Sequence, residues 1–446
     1  MKGINPVTQT ETRYELADIE EPNLFREQFP YETLPRVLFE DAGVAMAPAK
    51  DLCITDTTFR DGQQARPPYT VEEIVDLFTL EHKLDGGSGL IRQSEFFLYS
   101  KKDRDAVDRC RSLGFEYPRV TGWIRAVKND FKLVKEMDLP ETGILTSCSD
   151  YHIFLKLKKT RRQAMELYLD IARAALDAGI VPRCHFEDLT RADIYGFVVP
   201  FAIELMKLRD EYGRDVKIRL CDTMGFGVPW DHAKLPRSVP KIVHAMTHDA
   251  GVPGELLSWH GHNDFHKVLI NPATAWLYGC AACNGTLLGL GERTGNSPIG
   301  AMVVEAAQFR GQDERVNYPV ITEIASYYRD KLGVNIPHGY PLVGRDFNTT
   351  RAGIHADGLL KSEEIYSPFN TQKVLNRPMG VAITDKSGAA GIKHWIERYY
   401  GGNVAKDDPR LAKIREWVDA EYESGRTTAI SDEEMHARYA EAFGEQ

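Results

Sequence analysis

Residues 52–64 read LCITDTTFRDGQQ, a short and largely apolar run that ends directly in polar and ionisable side chains. Seven further runs of this kind follow along the chain: GLIRQSEF (89–96), RVTGWIRA (119–126), GILTSC (143–148), IVPRCHF (180–186), VKIRLC (216–221), ELLSWH (255–260) and GTLLGL (285–290). The runs are spaced by about 25–40 residues, the length that a strand, a helix and two loops require. The chain therefore repeats one strand–helix unit eight times.

The segments between the runs carry helix signals. Thr70 and Glu73 are spaced as a capping box ahead of an apolar helix face. Residues 162–178 have apolar side chains at helical spacing and are followed by Gly179, a residue that commonly ends helices. Eight strand–helix units in series predict an α/β fold, a (β/α)8 TIM barrel, with a doubly wound eight-stranded sheet as the alternative.

Three regions are expected along the 446 residues. Residues 1–50 are rich in proline, glutamate and aromatic residues without a clear period, and we expect an irregular N-terminal extension. Residues 51–330 are predicted to form the barrel. Residues 331–446 begin with a glycine-rich, turn-rich stretch and become charged and helical, which indicates a smaller, mainly helical C-terminal region.

Composition excludes several functional classes. The net charge is −10, and no long basic stripe offsets it, so we expect no nucleic-acid partner. No apolar run approaches the roughly 20 residues that span a bilayer, and the polar first twenty residues resemble neither a signal peptide nor an anchor. Seven cysteines, several of them in apolar runs, are typical of buried thiols in a reducing compartment. We therefore expect a cytoplasmic protein that does not bind membranes.

Polar groups are concentrated where the predicted strands end. In a barrel of this kind the carboxyl ends of the strands surround the active site. The residues found at these positions that we take as site candidates are Arg60, Asp61, Gln64, Glu95, Arg125, His152, Glu187, Thr223, His260, His262 and Asn296. A single one of these residues would be read as a surface charge or a helix cap, but one or more at every strand end predict a functional face.

The sequence His260-Gly-His262 gives the strongest chemical signal. Residues i and i+2 of a strand point to the same side, so both imidazoles can reach one ion. Two histidines with a carboxylate such as Asp61 suit Zn, Mn, Fe or Co, and Asn296 could add a carbonyl ligand. The alternative is a pair of surface histidines. Cys280-Ala-Ala-Cys283 has no second CxxC, which favours buried structural thiols there.

Five motifs in this order carry a resemblance to a known family: DTTFRDGQQ (56–64), HFEDLTR (185–191), CDTMGFGVP (221–229), HGHND (260–264) and GLGERTGN (289–296). The chain resembles the metal-dependent condensing-aldolase barrels, which include isopropylmalate, homocitrate and citramalate synthases and hydroxymethylglutaryl-CoA lyase. The resemblance extends over residues 51–400. Within the family, stretches such as GYPLVGRDFNTTRAGIHADG (339–358) look most similar to the Re-citrate synthase branch, with the 2-phosphinomethylmalate synthases as the nearest rival.

The resemblance implies a Claisen-type condensation of acetyl-CoA, as co-substrate, with oxaloacetate, and it implies roles for individual residues. Asp61, His260 and His262 match the ligands of a divalent metal, with Asn296 close by. The metal is preferably Mn²⁺, with Co²⁺, Mg²⁺ or Zn²⁺ as alternatives. The remaining matched residues are Arg60 for the ketone oxygen, Thr223 for the α-carboxylate, Gln64, Glu95 and His152 on the oxo-acid side, and Glu187, His355 and Tyr366 for the proton transfers. The family also implies a homodimer.

The chain departs from the family at three places. Gln63 stands where glutamate is common, and His185 stands where a small residue is usual. The loop GERTGN lacks the cysteine of the lyase branch, which favours synthesis over cleavage. A different acceptor, a lyase and a non-catalytic metal-binding regulator are the alternatives, and the set of Arg60, metal candidates and His355 speaks against the regulator.

Arg125 at the end of the third run has two readings. A guanidinium can bind a carboxylate bidentately, so Arg125 is a candidate anchor for the distal carboxylate of a four-carbon diacid. It could equally form a structural ion pair at the barrel mouth.

Overall fold

In the computed structural model, which describes residues 14–31 and 35–444, the opening run forms the first strand of a closed barrel. The parallel strands are β1 (Cys53–Asp56), β2 (Ile91–Phe97), β3 (Arg119–Ile124), β4 (Glu141–Ser147), β5 (Val181–Glu187), β6 (Lys217–Asp222), β7 (Leu257–Gly261) and β8 (Ala282–Thr286). They are hydrogen-bonded in sequence order, and β1 also pairs with β8. This closure confirms the (β/α)8 barrel and excludes the doubly wound sheet.

One α-helix follows each strand of the barrel. The helices are α1 (Val71–Asp85), α2 (Lys101–Ser112), α3 (Phe131–Glu136), α4 (Arg161–Asp177), α5 (Val199–Tyr212), α6 (Val239–His244), α7 (Ile270–Leu277) and α8 (Ile299–Arg310). The Thr70–Glu73 capping box is present at the start of α1. Gly179 follows α4 with a φ of 77°, a left-handed conformation that suits glycine. The local helix signals thus hold in both places.

The eighth strand begins and ends earlier than its predicted run. Residues 285–290 were expected to be extended, but β8 covers Ala282–Thr286. The N–H of Leu287 donates to the hydroxyl of Thr58 (2.9 Å), which takes it out of the strand ladder, and Leu287–Gly289 then form a tight turn. The two-residue strand β9 (Ser297–Pro298) pairs with the end of β8. The early end of β8 leaves the loop that carries Asn296 at the mouth of the barrel.

The described part of the N-terminal extension, residues 14–31 and 35–50, has no helix and only an isolated β-bridge between Phe39 and Ala233. It is held to the barrel by backbone hydrogen bonds such as Ala17 N to Gly196 O (2.9 Å) and Ala49 N to Trp276 O (2.9 Å). Residues 1–13 and 32–34 of the predicted extension lie outside the described residues.

A second compact unit covers Tyr318–Gln446, and the first covers Met1–Asn317. The elements of the second unit are α9 (Val320–Ser326), β10 (Thr349–Thr350), α10 (Gly353–Lys361), α11 (Thr371–Leu375), β11 (Gly380–Val381), α12 (Gly388–Tyr400), α13 (Pro409–Glu423) and α14 (Asp432–Phe443). Its core includes Trp395, Leu411 and Met435. The break at 317 lies before the predicted boundary at 330, and the prediction of separate domains at 51–330 and 331–446 stays a prediction.

Two further observations concern the chain as a whole. All seven cysteines are buried and free, including Cys280 and Cys283 at β8. Among the described residues, no helix combines the length and the apolar character that crossing a membrane requires.

Candidate active site

Three side chains that could bind a metal ion converge at the carboxyl ends of β1 and β7. One Asp61 oxygen, Oδ2, lies 3.7 Å from Nε2 of His260 and 3.7 Å from Nε2 of His262. The two Nε2 atoms are 3.3 Å apart, and all three side chains are buried. The structure therefore brings together the three residues that the sequence singled out as metal ligands.

The hydrogen bonds of Asn284 on β8 fix the orientation of His260. The amide group of Asn284 donates to the carbonyl and the hydroxyl of Thr55 (3.0 Å each), so its own carbonyl oxygen is free to accept. That oxygen lies 2.8 Å from Nδ1 of His260, which must therefore carry the proton. The lone pair of His260 Nε2 is left to face Asp61 and His262, as a metal ligand requires.

The charge states of the triad also suit a cation. Burial is the largest cause that lowers the pKa of His260, to about 3, and it lowers the pKa of His262 as well, so both imidazoles are neutral. Burial alone would raise the pKa of Asp61, but the charge of Arg60 foremost, together with the neighbouring imidazoles and the hydrogen bond from Asn296, outweighs it and lowers that pKa. Two neutral nitrogen ligands and one carboxylate are the donor set of many divalent-ion sites.

Asn296 lies beside the triad. An antiparallel bridge pairs it with His262, and its amide donates to Asp61 Oδ2 (2.8 Å). Its carbonyl oxygen Oδ1 is buried without a hydrogen-bond partner. A side chain on Gly291 would come within 1.6 Å of that oxygen, which explains the glycine in GLGERTGN. An unpaired buried carbonyl is expensive unless a ligand completes it, so Asn296 fits the predicted supporting position.

Arg60 is held next to the triad by Glu95 at the end of β2. Its Nε donates to Glu95 Oε1 (3.0 Å), and its Nη1 lies 3.8 Å from Asp61 Oδ1. Burial opposes the charge of Arg60, but the two carboxylates outweigh it and raise the pKa of the guanidinium. Arg60 is therefore a fixed positive charge beside the candidate metal position.

Glu95 is surrounded by protein donors on both oxygens. Oε1 also accepts from the Thr57 hydroxyl (3.1 Å), while Oε2 accepts from Arg183 (2.5 Å) and Arg219 (3.1 Å). Burial would raise its pKa, but the cations, Arg219 foremost, hold it well below its usual range. The prediction that Glu95 contacts the oxo acid is not tested by this arrangement, which shows that its oxygens already have protein partners.

The barrel interior below Glu95 holds charged residues that the sequence reasoning passed over. Arg183 and Arg219 are wholly buried, and His185 Nε2 lies 3.3 Å from Glu95 Oε2. A side chain on Gly143 would come within 2.6 Å of His185 Nε2 and 2.9 Å of Glu95 Oε2. The available signal was the alternation of ionisable residues at i and i+2 in VPRCHFE and VKIRLC, which places them on the inner face of the barrel strands.

Glu187 and His152 form a second polar group at the ends of β4 and β5. His152 Nδ1 lies 3.0 Å from Glu187 Oε2, which also accepts from the Ser147 hydroxyl and from Lys156 Nζ (3.4 Å). Although burial opposes the charge, the hydrogen bond from His152 and the neighbouring charges lower the pKa of Glu187 to about 2. Glu187 is therefore a carboxylate at neutral pH, placed to orient an imidazole.

Three residues predicted to bind the substrate differ in how many of their hydrogen-bonding groups already have protein partners. The Thr223 hydroxyl oxygen accepts from the N–H of Asp188 (2.8 Å), which leaves its proton free to donate. Gln64 is exposed in the turn after β1. Arg125 pairs bidentately with Asp130 (3.0 and 3.1 Å) and is 63% exposed. The interpretation of Arg125 as a structural residue requires this ion pair to persist. The interpretation as a substrate anchor requires Arg125 to exchange Asp130 for a substrate carboxylate.

His355 and Tyr366, the two predicted residues of the C-terminal unit, lie together. His355 lies in the first turn of α10, and Tyr366 follows the short turn after that helix. Their ring centroids are 4.3 Å apart. Gly358 leaves the space that the Tyr366 ring occupies, because a side chain there would come within 2.4 Å of Cε2. An imidazole beside a phenol is a suitable pair for moving a proton.

The barrel region of the chain matches a known protein family. Residues 51–327 match the family model described as HMGL-like.

The chain belongs to the HMGL-like family.

Three curated relatives extend this family membership over nearly the whole chain. The chain is 60% identical to a citrate (Re)-synthase of Syntrophus aciditrophicus, with 96% of this chain and 68% of the relative covered. It is 52% identical to a citrate (Re)-synthase of Clostridium kluyveri, with 95% and 94% covered. It is 36% identical to a 2-phosphinomethylmalate synthase of Streptomyces hygroscopicus, with 95% and 97% covered. Within the HMGL-like family, the similarity is therefore much higher to the two citrate (Re)-synthases than to the enzyme that was the nearest rival.

Proposed function

We propose that this protein catalyses the citrate (Re)-synthase reaction, in which acetyl-CoA and oxaloacetate condense to give citrate and CoA. The observation that carries this function is the identity of 60% and 52% to two citrate (Re)-synthases over at least 95% of the chain. The protein is accordingly an acyltransferase that converts the acyl group to an alkyl group on transfer.

The buried triad fits a divalent metal ion, which we propose as the resident cofactor. Asp61, His260 and His262 would hold it, and the orphaned carbonyl oxygen of Asn296 is the fourth candidate donor. A bound divalent ion supplies Lewis-acid polarisation of a chelating 2-oxo acid. We propose Mn²⁺ before Co²⁺, Mg²⁺ and Zn²⁺, on the resemblance to the condensing aldolases.

Arg60 is proposed to stabilise the negative charge that develops on the ketone oxygen when the acetyl carbon attacks. Its guanidinium is already charged, largely shielded from solvent and fixed by Glu95, so no reorganisation is needed as the oxygen becomes an alkoxide. Glu95 therefore acts as a positioning residue in this proposal, through its two contacts with Arg60 and the deeper arginines.

The oxo acid is proposed to bind on the side of the barrel formed by β4 to β6. The Thr223 hydroxyl has a proton to donate to the α-carboxylate. His152 is oriented by Glu187 at Nδ1, and its Nε2 lies 3.7 Å from Asp188 Oδ2, beyond hydrogen-bond distance. Gln64 offers an exposed amide after β1. Arg125 could reach a distal carboxylate only by giving up its bond to Asp130, so we assign it the weakest part in binding.

The proton chemistry is proposed to require His355. A base must take a proton from the methyl group of acetyl-CoA, the resulting carbanion attacks the ketone carbon, and water then cleaves the thioester to release CoA. Tyr366 lies against His355, and Glu187 is the carboxylate proposed to assist the acid–base steps. The family resemblance further supports our proposal of a homodimer.

The other acetyl-CoA-dependent condensations of the family, with phosphinopyruvate, 2-oxoglutarate, 2-oxoisovalerate or pyruvate as acceptor, use the same chemistry. The lower identity of 36% to the phosphinomethylmalate enzyme places that reaction second. Seven free, buried cysteines support the predicted cytoplasmic location, because structural thiols persist in a reducing compartment.

The test is CoA release from acetyl-CoA by the purified protein, loaded with Mn²⁺, with oxaloacetate, 2-oxoglutarate, 2-oxoisovalerate and pyruvate in turn. We expect turnover with oxaloacetate only, and its loss after treatment with EDTA. Readdition of Mn²⁺ after removal of the chelator should restore activity, which separates metal loss from unfolding.

Turnover with another acid but not with oxaloacetate would overturn the proposed acceptor and leave the reaction type intact. Full turnover in a protein shown by elemental analysis to contain no divalent metal would overturn the assignment of Asp61, His260 and His262.

A further inference from the structure

A cavity lies entirely within the C-terminal unit. Its volume is about 820 Å³, and it is formed by the end of α9, the turns around β10 and β11, the α12 helix and the start of α14. None of the residues proposed for catalysis lines it. A volume of this size is typical of sites for small organic molecules and far exceeds what an isolated water or ion needs.

The cavity is lined by an excess of positive charge. The ionisable residues in its wall are Arg329, Arg345, Arg351, Arg377, Arg398, His338, Asp346, Asp432 and Glu433. Five arginines against three carboxylates leave an excess of two positive charges with the histidine neutral. This is opposite in sign to the chain as a whole, whose net charge is −10.

Three of the arginines are already paired with carboxylates. Arg345 and Arg351 both bind Asp346, at 3.2 and 2.5 Å, and Arg329 binds its neighbour Asp330 at 2.8 Å.

The other two arginines have no carboxylate partner in the part of the chain that the structure describes. Arg377 donates to the carbonyls of Val343 (2.8 Å) and Gly344 (2.7 Å), and Arg398 donates to the carbonyl of Met379 (3.2 Å). Burial, followed by the charge of Arg329, lowers the pKa of Arg377, as expected for a cation without a counter-charge. Asp432, a carboxylate of the cavity wall, accepts hydrogen bonds from the Trp395 N–H (2.7 Å) and the Tyr399 hydroxyl (2.8 Å) of α12.

The carbonyl bonds hold each guanidinium from one edge. Arg377 spans two successive carbonyls of a turn, and Arg398 lies over Gly380, where a side chain would come within 2.8 Å of its Nη1. A guanidinium has five N–H donors, so both arginines keep donors that these bonds do not use. Arginine forks of this kind match the spacing of phosphate oxygens.

We propose that this cavity binds a small organic molecule that carries two or more adjacent phosphates, with Arg377 and Arg398 as its principal ligands. Two sources share this chemistry, a free nucleoside di- or triphosphate and the diphosphate of a CoA molecule. Arg329 and His338 stand in the same wall and would add to the positive potential around the phosphates.

The test is titration calorimetry of the full-length protein with ADP, ATP, inorganic pyrophosphate and free CoA. The variants are Arg398→Gln and Arg377→Gln. The matched control is Arg415→Gln, which removes a surface arginine of α13 whose ion pair among the described residues is with Asp419 (3.7 Å). We expect saturable binding of at least one of the four probes, weakened by about tenfold or more in each cavity variant and unchanged in the control, because a charged hydrogen bond to phosphate is lost.

The two sources are separated by the kinetics of the same variants. If the ligand is a free nucleotide, Arg398→Gln weakens ADP or ATP binding and leaves the KM for acetyl-CoA unchanged. If the ligand is CoA, CoA competes with ADP and the KM for acetyl-CoA rises in parallel. This comparison needs an active enzyme, whereas the binding titration does not, so failure of the proposed citrate synthesis leaves the cavity test intact.

Absence of binding by all four probes up to about 1 mM would overturn the proposal. Binding that is equal in the wild type and both cavity variants would also overturn it, since the phosphates would then lie elsewhere. Thermal melting is recorded for every variant because Arg377 supports a turn. Arg398, with its single carbonyl bond, is the variant that decides the outcome if Arg377→Gln does not fold.

Discussion

The triad at the end of β7 and the Glu95 cluster at the end of β2 are both buried groups of a carboxylate with nitrogen-bearing side chains, yet they differ in what they leave unpaired. Around Glu95, protein donors occupy both oxygens. Around Asp61, the Nε2 lone pair of His260 faces the carboxylate and His262, and the carbonyl oxygen of Asn296 is buried without a hydrogen-bond partner. A buried carboxylate therefore does not by itself mark a ligand site, whereas unpaired acceptors beside it do.

The largest effect is expected from His260→Ala, which removes one member of the triad of Asp61, His260 and His262. Removing one of three ligands should abolish metal retention and lower turnover by roughly 10³-fold, because metal polarisation contributes several kcal/mol to such reactions. Elemental analysis and CoA release measure the two effects. His248→Ala, an exposed histidine of the same unit, is the control and should keep both metal and activity.

Glu95→Gln tests the Glu95 cluster, in which protein donors occupy both carboxylate oxygens. Arg60, Arg183 and Arg219 lose their common carboxylate, so we expect about 3–5 kcal/mol less stability and a kcat lower by about 10²-fold with metal content unchanged. Glu141→Gln is the matched control, because Glu141 pairs with Arg183 and Lys217 but does not touch Arg60. Equal losses of kcat in the two variants would remove the positioning role of Glu95.

Gly143→Ala measures how tightly the Glu95 cluster is packed. The added methyl group would meet His185 and Glu95, and overpacking of this kind costs about 1–3 kcal/mol. Chemical denaturation of Gly143→Ala, His185→Ala and the double variant gives the coupling between the positions. We expect the second substitution to relieve most of the first, and additive losses would show that His185 is not the obstacle.

The pair of Glu187 and His152 is intermediate between the triad and the Glu95 cluster. The Glu187 carboxylate accepts several hydrogen bonds from protein donors, whereas Nε2 of His152 makes none with the described residues. The pKa of Glu187 is lowered from 4.5 to about 2 in the folded protein, so its contribution to stability is complete above pH 4.5 and is lost as the pH falls toward 2. Compared with Glu187→Gln, the wild type should be more stable by about 2 kcal/mol at neutral pH, and the difference should shrink in that acidic window. A difference that is constant down to pH 2 would refute the lowered pKa.

The smallest effect is expected from Arg125→Ala. Its guanidinium is exposed and paired with Asp130, and exposed ion pairs contribute about 0–1 kcal/mol. We expect the KM for oxaloacetate to change by no more than about twofold. A rise of about tenfold or more, with the KM for acetyl-CoA unchanged, would instead establish Arg125 as the anchor of the distal carboxylate.

The barrel and the metal triad were predictable from the sequence because both depend on strand periodicity. The eight apolar runs define the strands, and the i, i+2 spacing of His260 and His262 places both imidazoles on one side. The end of β8 was not predictable from its apolar run, since a hydrogen bond to Thr58, 229 positions away in sequence, decides it. Long-range partners of this kind leave no trace in local composition.

The charged interior of the barrel was less accessible for a related reason. Arg183, His185 and Arg219 alternate along their strands, but their meaning depends on Glu95 from another strand, which the sequence assigned to the substrate. The pairing of Arg125 with Asp130 was open to prediction, being local, and the sequence left it as one of two readings. The cavity of the C-terminal unit is assembled from turns with no regular spacing, and no pattern indicated it.

The bond between Asn284 and Thr55 joins the last strand of the barrel to the first, and the same Asn284 sets the proton of His260. Asp61 and Asn296, which touch each other at the triad, are 235 positions apart. The ion-binding atoms can thus meet only after nearly all of the barrel has been made and its two ends have joined, a late step for a chain with such distant contacts. An ion that binds only the closed form would shift the equilibrium toward closure, so it would stabilise the whole barrel as well as supply the chemistry of the site.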